Sequence, residues 1–331
     1  MKKILIIQTA SIGDVILATP IVEKLHYHYP KAKIDFLAKD GCQSVLLQHP
    51  KIKWVLVWDK KENKYKNLFE LLKYFRKEKY DLVVNLQRFF STGFITTFSG
   101  AKRTIGFSKN PMSIFFSKRV KHIIGEDNNY THEVDRNLSL ISEFVDNNKY
   151  RPVLYPSKKA FAKVSQYKTH KYICIAPASL WYTKQFPESR WVEFINTVPQ
   201  DFYIYLIGGK DDDALCKRII KNSTNINILN LSGKMNLLES AALMKDAFMN
   251  YVNDSAPLHL TTAVNARVTA IFCSTVPEFG FGPLSDDYKI VETKEKLECR
   301  PCGLHGHKEC PKKHFNCANN ILISELQNRL K

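Results

Sequence analysis

Short apolar runs recur along the chain, each followed by a longer stretch whose apolar positions return every three or four residues. In the first half the runs are KILIIQ (3–8), KIDFLA (33–38), KWVLVW (53–58) and YDLVVNL (80–86). Runs apolar at nearly every position, rather than at alternate ones, predict strands buried on both faces. Between them, 65–79 sets Leu68, Leu71, Leu72 and Phe75 on one helical face. The second half repeats the alternation. Strands are predicted at 171–177, 202–209, 226–233, 248–254 and 268–274, with helices at 188–198, 211–223, 237–247 and 257–265. Strand–helix alternation of this kind predicts an α/β protein with parallel sheets.

The stretch 151–171, RPVLYPSKKAFAKVSQYKTHK, is polar, carries two prolines and lacks a strong strand. It predicts a boundary near residue 165 between two Rossmann-like domains, 1–165 and 166–331. Residues 321–330 predict a short closing helix. The sequence shows no fixed-period repeat and no low-complexity tract.

Composition refines this picture. Hydrophobic residues make up 44% of 331 and aromatics 12%, which is ample for two packed cores and excludes a disordered chain. Lys and Arg number 49 against 32 Asp and Glu, a formal net charge of +17. That excess favours anionic partners (nucleic acid, phosphorylated small molecules or an acidic membrane surface) without choosing among them. No stretch reaches the roughly 18–20 apolar residues of a membrane span. Met1-Lys2-Lys3 followed by ILII is too short an apolar segment for a secretory leader, so it reads as the first strand of a cytoplasmic protein. Four cysteines are isolated. Cys299, Cys302, Cys310 and Cys317 cluster with His305, His307 and His314 in a spacing compatible with zinc as well as with free thiols or a redox disulfide.

Four loops could carry chemistry. The first, QTASIGD, puts Asp14 just after Gly13 at the end of a strand, where doubly wound sheets deliver functional groups. The carboxylate is either a helix cap or a reactive group in a cleft, and Pro20 opens the helix that follows. The fingerprint G-x-G-x-x-G is absent, which argues against a standard dinucleotide site in this half. The second loop, PASLWYTKQFPESRW (177–191), sets Ser179, Thr183 and Lys184 between a strand end and a helix start, a composition suited to phosphate. The third, LIGGKDDDA, combines Gly208-Gly209 with three aspartates. At least two of those acids read as complements to a helix dipole. The fourth, NDSAPLHLTTAVN, ends a strand in Asp254 and Ser255 and starts a helix at Pro257, with His259 in its first turn. Its N–H groups suit a diphosphate.

SIGDVILATPIVEKLHYHYP, PASLWYTKQFPESRW, LIGG, NDSAPLHLTTAVN and the closing C-x-x-C with further cysteines together resemble the heptosyltransferase family, glycosyltransferase family nine. The likeness runs from residue 4 to about 325 and is weakest over 40–160. It implies a GT-B enzyme: two Rossmann-like domains around a central cleft, the first binding acceptor and the second binding the nucleotide sugar. By resemblance, Asp14 is the general base and Lys184 neutralises the departing ADP. Ser179, Thr183, Lys184, Gly209, Asp211, Asp254, Ser255, Ala256 and His259 line the donor site, with Asp211 assigned to the ribose. Ser11, Gly13 and Arg88 are acceptor-side candidates.

The expected reaction is inverting transfer of heptose from ADP-heptose to the lipopolysaccharide inner core, at a Kdo or heptose acceptor. No cofactor is implied, and no metal is assigned to the cysteine cluster. The expected partner is an anionic glycolipid, met peripherally on the inner face of the inner membrane, and Arg88, Arg103, Lys118, Arg119 and Lys121 are candidate contacts to it. This sequence departs from the family at Ala256, where relatives usually have glycine, and at Gln8, where many have a basic residue. It also lacks the paired hydroxyls of some relatives at Ser179-Leu180. The alternatives are a same-fold transferase with another nucleotide sugar or acceptor, a non-catalytic sugar-nucleotide binder, and, remotely, a basic nucleic-acid-binding protein.

Overall fold

The computed structural model describes residues 1–124 and 130–331. The chain forms two compact units, Met1–Tyr155 and Pro156–Lys331.

The first unit runs β1 (Lys3–Ile7), α1 (Ile12–Leu17), α2 (Thr19–His28), β2 (Lys33–Lys39), β3 (Trp54–Trp58), α3 (Lys64–Glu78), β4 (Leu82–Asn85), α4 (Phe90–Thr97), β5 (Arg103–Phe107), β6 (Lys118–Val120) and α5 (Glu133–Ser139). Its six strands lie in the order β3-β2-β1-β4-β5-β6, and every pairing is parallel. Ile4 to Ile7 are fully buried, with β2 on one side and β4 on the other. Helices cover both faces of such a sheet, so its central strand has no polar side to display. On α3 the expected apolar stripe is present: Leu68 and Phe75 are buried, and Leu71 packs against the same cluster.

Four elements of this unit, β5, β6, α4 and α5, have no counterpart among the elements predicted from the sequence. RTIGF and KRV are too short and too charged at their ends to stand out. α4, FSTGFITT, turns Thr92 and Thr96 inward instead of outward. Thr96 Oγ1 donates to Thr92 O at 2.7 Å and accepts from buried Asn85 Nδ2 at 2.9 Å.

The second unit runs α6 (Lys158–Val164), β7 (Tyr172–Ala176), α7 (Glu188–Asn196), β8 (Tyr203–Leu206), α8 (Asp213–Asn222), β9 (Ile228–Asn230), α9 (Leu237–Lys245), β10 (Met249–Asn253), α10 (Ala256–Ala263), β11 (Val268–Ile271), β12 (Tyr288–Val291), α11 (Asn316–Asn319) and α12 (Ile323–Gln327). Its strand order is β12-β11-β10-β7-β8-β9, again parallel throughout. Trp191, Phe194 and Tyr251 fill the core, joined by Phe315, Cys317, Ala318 and Leu326 from the C-terminal segment. The Tyr251 hydroxyl donates to Leu326 O at 3.0 Å, fastening that segment to β10. The closing helix is shorter than expected, spanning Ile323–Gln327.

The units part at Tyr155, ahead of the expected 165, because α6 belongs to the second of them. It packs along α9, and Lys163 Nζ meets Glu239 Oε2 at 2.8 Å. Tyr155 belongs to the first unit, where its hydroxyl donates to Glu23 Oε1 at 2.8 Å. Burial alone would raise the pKa of Glu23. Contacts with His49, Lys51 and Tyr155 reverse that and bring it down to about 2.

Candidate active site

In doubly wound sheets, ligands bind beyond the carboxyl ends of the strands, where the strand order changes direction. In the first unit that point lies between β1 and β4, and in the second between β7 and β10. The loops after these four strands carry most of the residues singled out from the sequence. The Gly209–Asp211 turn follows β8, next to β7.

In the first unit, Ser11 caps α1 and Asp14 completes a capping box. Ser11 N and Oγ donate to Asp14 Oδ2 at 3.0 and 2.5 Å, and Asp14 N donates to Ser11 Oγ at 3.4 Å. The helix-cap reading of Asp14 is therefore realised, with the residue half-buried at the sheet's carboxyl edge. Capping does not exclude reactivity, because a capping box fixes the direction in which a carboxylate points. Pro20 lies in the first turn of α2, as expected. Gly13 is buried beneath the loop, while Arg88 is exposed on the neighbouring loop after β4, its guanidinium 6.0 Å from the Phe89 ring centre.

Gln8, where relatives often have a cation, is buried and accepts from the side chain of Gln87, joining the two loops. The cation at this edge is Lys60, which the sequence reading missed. Its Nζ donates to Thr9 O at 3.0 Å and Thr9 Oγ1 at 2.9 Å, and it lies 4.6 Å from the Trp58 ring centre. Burial, reinforced by Lys39 and Lys64, lowers its pKa to about 8. Lys60 thus fixes the backbone just before Ser11.

In the second unit, Lys184 ends a short turn after β7, and Asp254 follows β10. Lys184 Nζ lies 2.6 Å from Asp254 Oδ2, with the two side chains only 16% and 8% exposed. Thr275 Oγ1 donates to the same oxygen at 2.7 Å. Asn253 ties the loops together: its Nδ2 donates to Pro177 O at 2.8 Å, and its Oδ1 accepts from Phe186 N at 2.9 Å. Ser179 is half-buried, and its carbonyl accepts from Gln185 Nε2 at 2.6 Å. Ser255 precedes α10, which opens with Ala256 and Pro257, and His259 is buried in that helix's first turn.

The three aspartates after Gly208-Gly209 have different surroundings. Asp212 Oδ2 accepts from Gly209 N at 2.7 Å, Asp213 engages Lys217 and Asn230, and Asp211 is exposed. A side chain at Gly208 would strike Asp212, so that glycine lets the acid cap its own turn.

The segment that follows β12 supports the Thr183–Lys184 turn. Thr183 N donates to His307 O at 3.1 Å, and His307 N donates to Thr183 Oγ1 at 2.8 Å. Ser274 Oγ donates to Thr183 Oγ1 at 3.0 Å, while Cys302 N donates to Ser274 O at 2.8 Å. Arg300 Nη2 donates to Thr275 O at 2.9 Å. Within this segment Cys299 Sγ lies 3.8 Å from His314 Nε2. Among the described residues no three His, Cys, Asp or Glu side chains converge for a metal ion. The cysteine-rich stretch is thus a brace for the lysine turn, a role with no local sequence signal.

Gly306 sits at the contact with φ +75°, and a Cβ there would meet Thr183 Oγ1 at 2.9 Å and Lys184 Cγ at 3.0 Å. Gly306→Ala is expected to displace this turn and weaken nucleoside-diphosphate affinity by about tenfold, the size of effect one displaced polar contact carries. Titration calorimetry with ADP would show it, and an unchanged Kd would remove the bracing role.

The sequence profile of glycosyltransferase family 9 (heptosyltransferase) matches residues 68–314. The chain belongs to this family. It is therefore a family 9 glycosyltransferase, and the match takes in the whole lysine turn and the Asp254 loop while beginning after Asp14. Lipopolysaccharide heptosyltransferase 3 of Escherichia coli is 26% identical over 308 residues, covering 86% of this chain and 90% of its own. The solved E. coli ADP-heptose LPS heptosyltransferase II superposes with a TM-score of 0.79 at 18% identity, covering 100% of this chain and 98% of its own. E. coli heptosyltransferase WaaC with ADP-2-deoxy-2-fluoro heptose gives 0.71 at 18% identity over 91% and 96%. The fold of this family 9 enzyme is accordingly of the GT-B class, with two Rossmann-like domains.

Proposed function

We propose that the protein transfers heptose from ADP-heptose to a hydroxyl of the lipopolysaccharide inner core, with inversion at the anomeric carbon. Asp14 takes the proton as the acceptor oxygen forms its bond to that carbon. The bond from carbon to diphosphate breaks with its electron pair going to ADP, and Lys184 neutralises the charge that develops there. A group that meets charge formed only in the transition state raises the rate rather than merely the affinity.

The observation that carries this reading is Lys184, placed on a braced turn at the β7/β10 reversal and held by Asp254. Residues from Ser179 to Lys184, Gly209, Asp211, Asp254, Ser255, Ala256 and His259 are the donor contacts in this reading, and Ser11, Gly13 and Arg88 the acceptor contacts. WaaC, solved with a fluorinated ADP-heptose, supports the donor class, and the E. coli relative supports the lipopolysaccharide acceptor. The formal charge of +17 suits an anionic glycolipid. Among the described residues no helix is long and apolar enough to cross a membrane, so the enzyme meets this acceptor peripherally in the proposed scheme.

The donor is tested by offering ADP-heptose, ADP-glucose and UDP-glucose with a Kdo-containing acceptor and weighing the products. Heptose addition, with the other two at least about 100-fold slower, is expected from pocket discrimination of a hydrogen-bonded sugar. Comparable turnover with a UDP-sugar would replace the donor assignment.

A further inference from the structure

α4 buries Ile95 and two threonines against the core yet leaves aromatic rings at the surface. Thr92 and Thr96 are buried and hydrogen-bonded, whereas Phe90 and Phe98 are 59% and 43% exposed. Phe90, Phe94 and Phe98 follow at four-residue spacing and form a ridge, with ring centres 6.3 and 4.8 Å apart. Phe69 of α3, also exposed, widens it at 6.1 Å from Phe94. Tyr65, one turn earlier on α3, and Phe89, just before α4, are exposed too. A contiguous apolar patch of this kind on a soluble domain marks a surface that meets something.

What surrounds the ridge identifies the partner. α3 carries Lys64, Lys66, Lys73, Arg76 and Lys77 against Glu70 and Glu78, and Glu78 is paired with Lys3 at 2.8 Å. Lys73 and Arg76 continue the line of Tyr65 and Phe69 at helical spacing. Arg76 borders the end of α4: a Cβ built on Gly100 would lie 3.7 Å from its Cγ. Exposed aromatic rings flanked by long cationic side chains match the boundary of an anionic bilayer, where rings enter the headgroup layer and ammonium groups stay above it.

The ridge also begins beside the candidate base. α4 starts beyond the carboxyl end of β4, adjacent to β1, and Gln87 is hydrogen-bonded to Gln8. The loop carrying exposed Ile114 and Phe115 is held to the same place, because Asn110 Nδ2 donates to Gln87 O at 2.8 Å and to Phe89 O at 3.1 Å.

We propose that the α3–α4 face docks on an anionic lipid bilayer and brings the Asp14 edge to an acceptor whose lipid remains in the membrane; the purpose, though not the docking, rests on the glycolipid-acceptor reading. The test is flotation of the full chain with vesicles of phosphatidylcholine containing phosphatidylglycerol, beside vesicles of phosphatidylcholine alone. Binding is expected only to the anionic vesicles and is expected to fall with added salt. Phe69→Ser/Phe90→Ser/Phe98→Ser should lower the bound fraction at least tenfold, with thermal unfolding and turnover on a lipid-free acceptor unchanged. Lys73→Glu/Arg76→Glu should lower vesicle affinity by roughly fivefold or more per cation, with the same two controls unchanged.

Vesicle binding that is absent in the parent chain, or unaltered by the triple substitution, overturns the docking surface. So does micromolar self-association in sedimentation that the triple substitution abolishes, since the ridge would then join two copies. Failure of the transferase reading would appear separately, as vesicle binding with no heptose transfer to any acceptor.

Discussion

Asp14→Asn is expected to lower kcat by about two to four orders of magnitude, the usual contribution of a positioned general base. ADP affinity should stay within about twofold, because the turn proposed to hold the phosphates belongs to the other unit. The choice of asparagine matters. Its side-chain oxygen can still accept from Ser11, so the start of α1 survives, whereas alanine would also remove a cap contact of about 1 kcal/mol. Steady-state transfer assays and calorimetry with ADP on one preparation distinguish the two readings of this carboxylate. A variant with near-normal turnover would leave Asp14 as a cap alone.

Lys184→Ala is expected to be more disruptive, because two effects coincide. Removing the cation proposed to meet the developing phosphate charge should cost about 10²–10³ in kcat and weaken ADP binding as well. The substitution also strands Asp254, which is 8% exposed and would retain only the Thr275 hydroxyl among the partners described above. Breaking a buried ion pair from one side destabilises by about 3 kcal/mol or more. Lys184→Ala/Asp254→Asn separates these effects. The double variant should recover most of the lost thermal stability and none of the lost transfer. If activity returned together with stability, the lysine would be a structural partner of Asp254 and nothing more.

Some of this was readable from the chain and some was not, for physical reasons. KILII and YICIA announce themselves because a central parallel strand is buried on both faces, and each such strand locates the loop at its end. Asp14, Lys184 and Asp254 lie in loops located in that way. KRV at the sheet edge offers no comparable pattern. α4 conceals itself because threonines share its inner face with Ile95 while phenylalanines lie on its outer face, so hydrophobic periodicity does not single out the buried side.

Lys60 looks like one lysine among many until the fold presses it against Thr9 and Trp58. The ties of Thr183 to Ser274 and His307 join residues 91 and 124 positions apart, which no local reading reaches. Asp14 shows a different limit: the same carboxylate oxygen closes a capping box and is the one proposed to take the acceptor proton, so one residue fits both sequence readings.

The way the C-terminal stretch fastens onto the Thr183 turn bears on how truncated or tagged clones behave. A shortened gene ending before Arg300 would still encode every residue proposed to contact the donor yet leave Thr183 and Ser274 without their braces. Because the same cut removes Phe315, Cys317, Ala318 and Leu326 from the core, such a clone would lose the fold of the second unit along with the site.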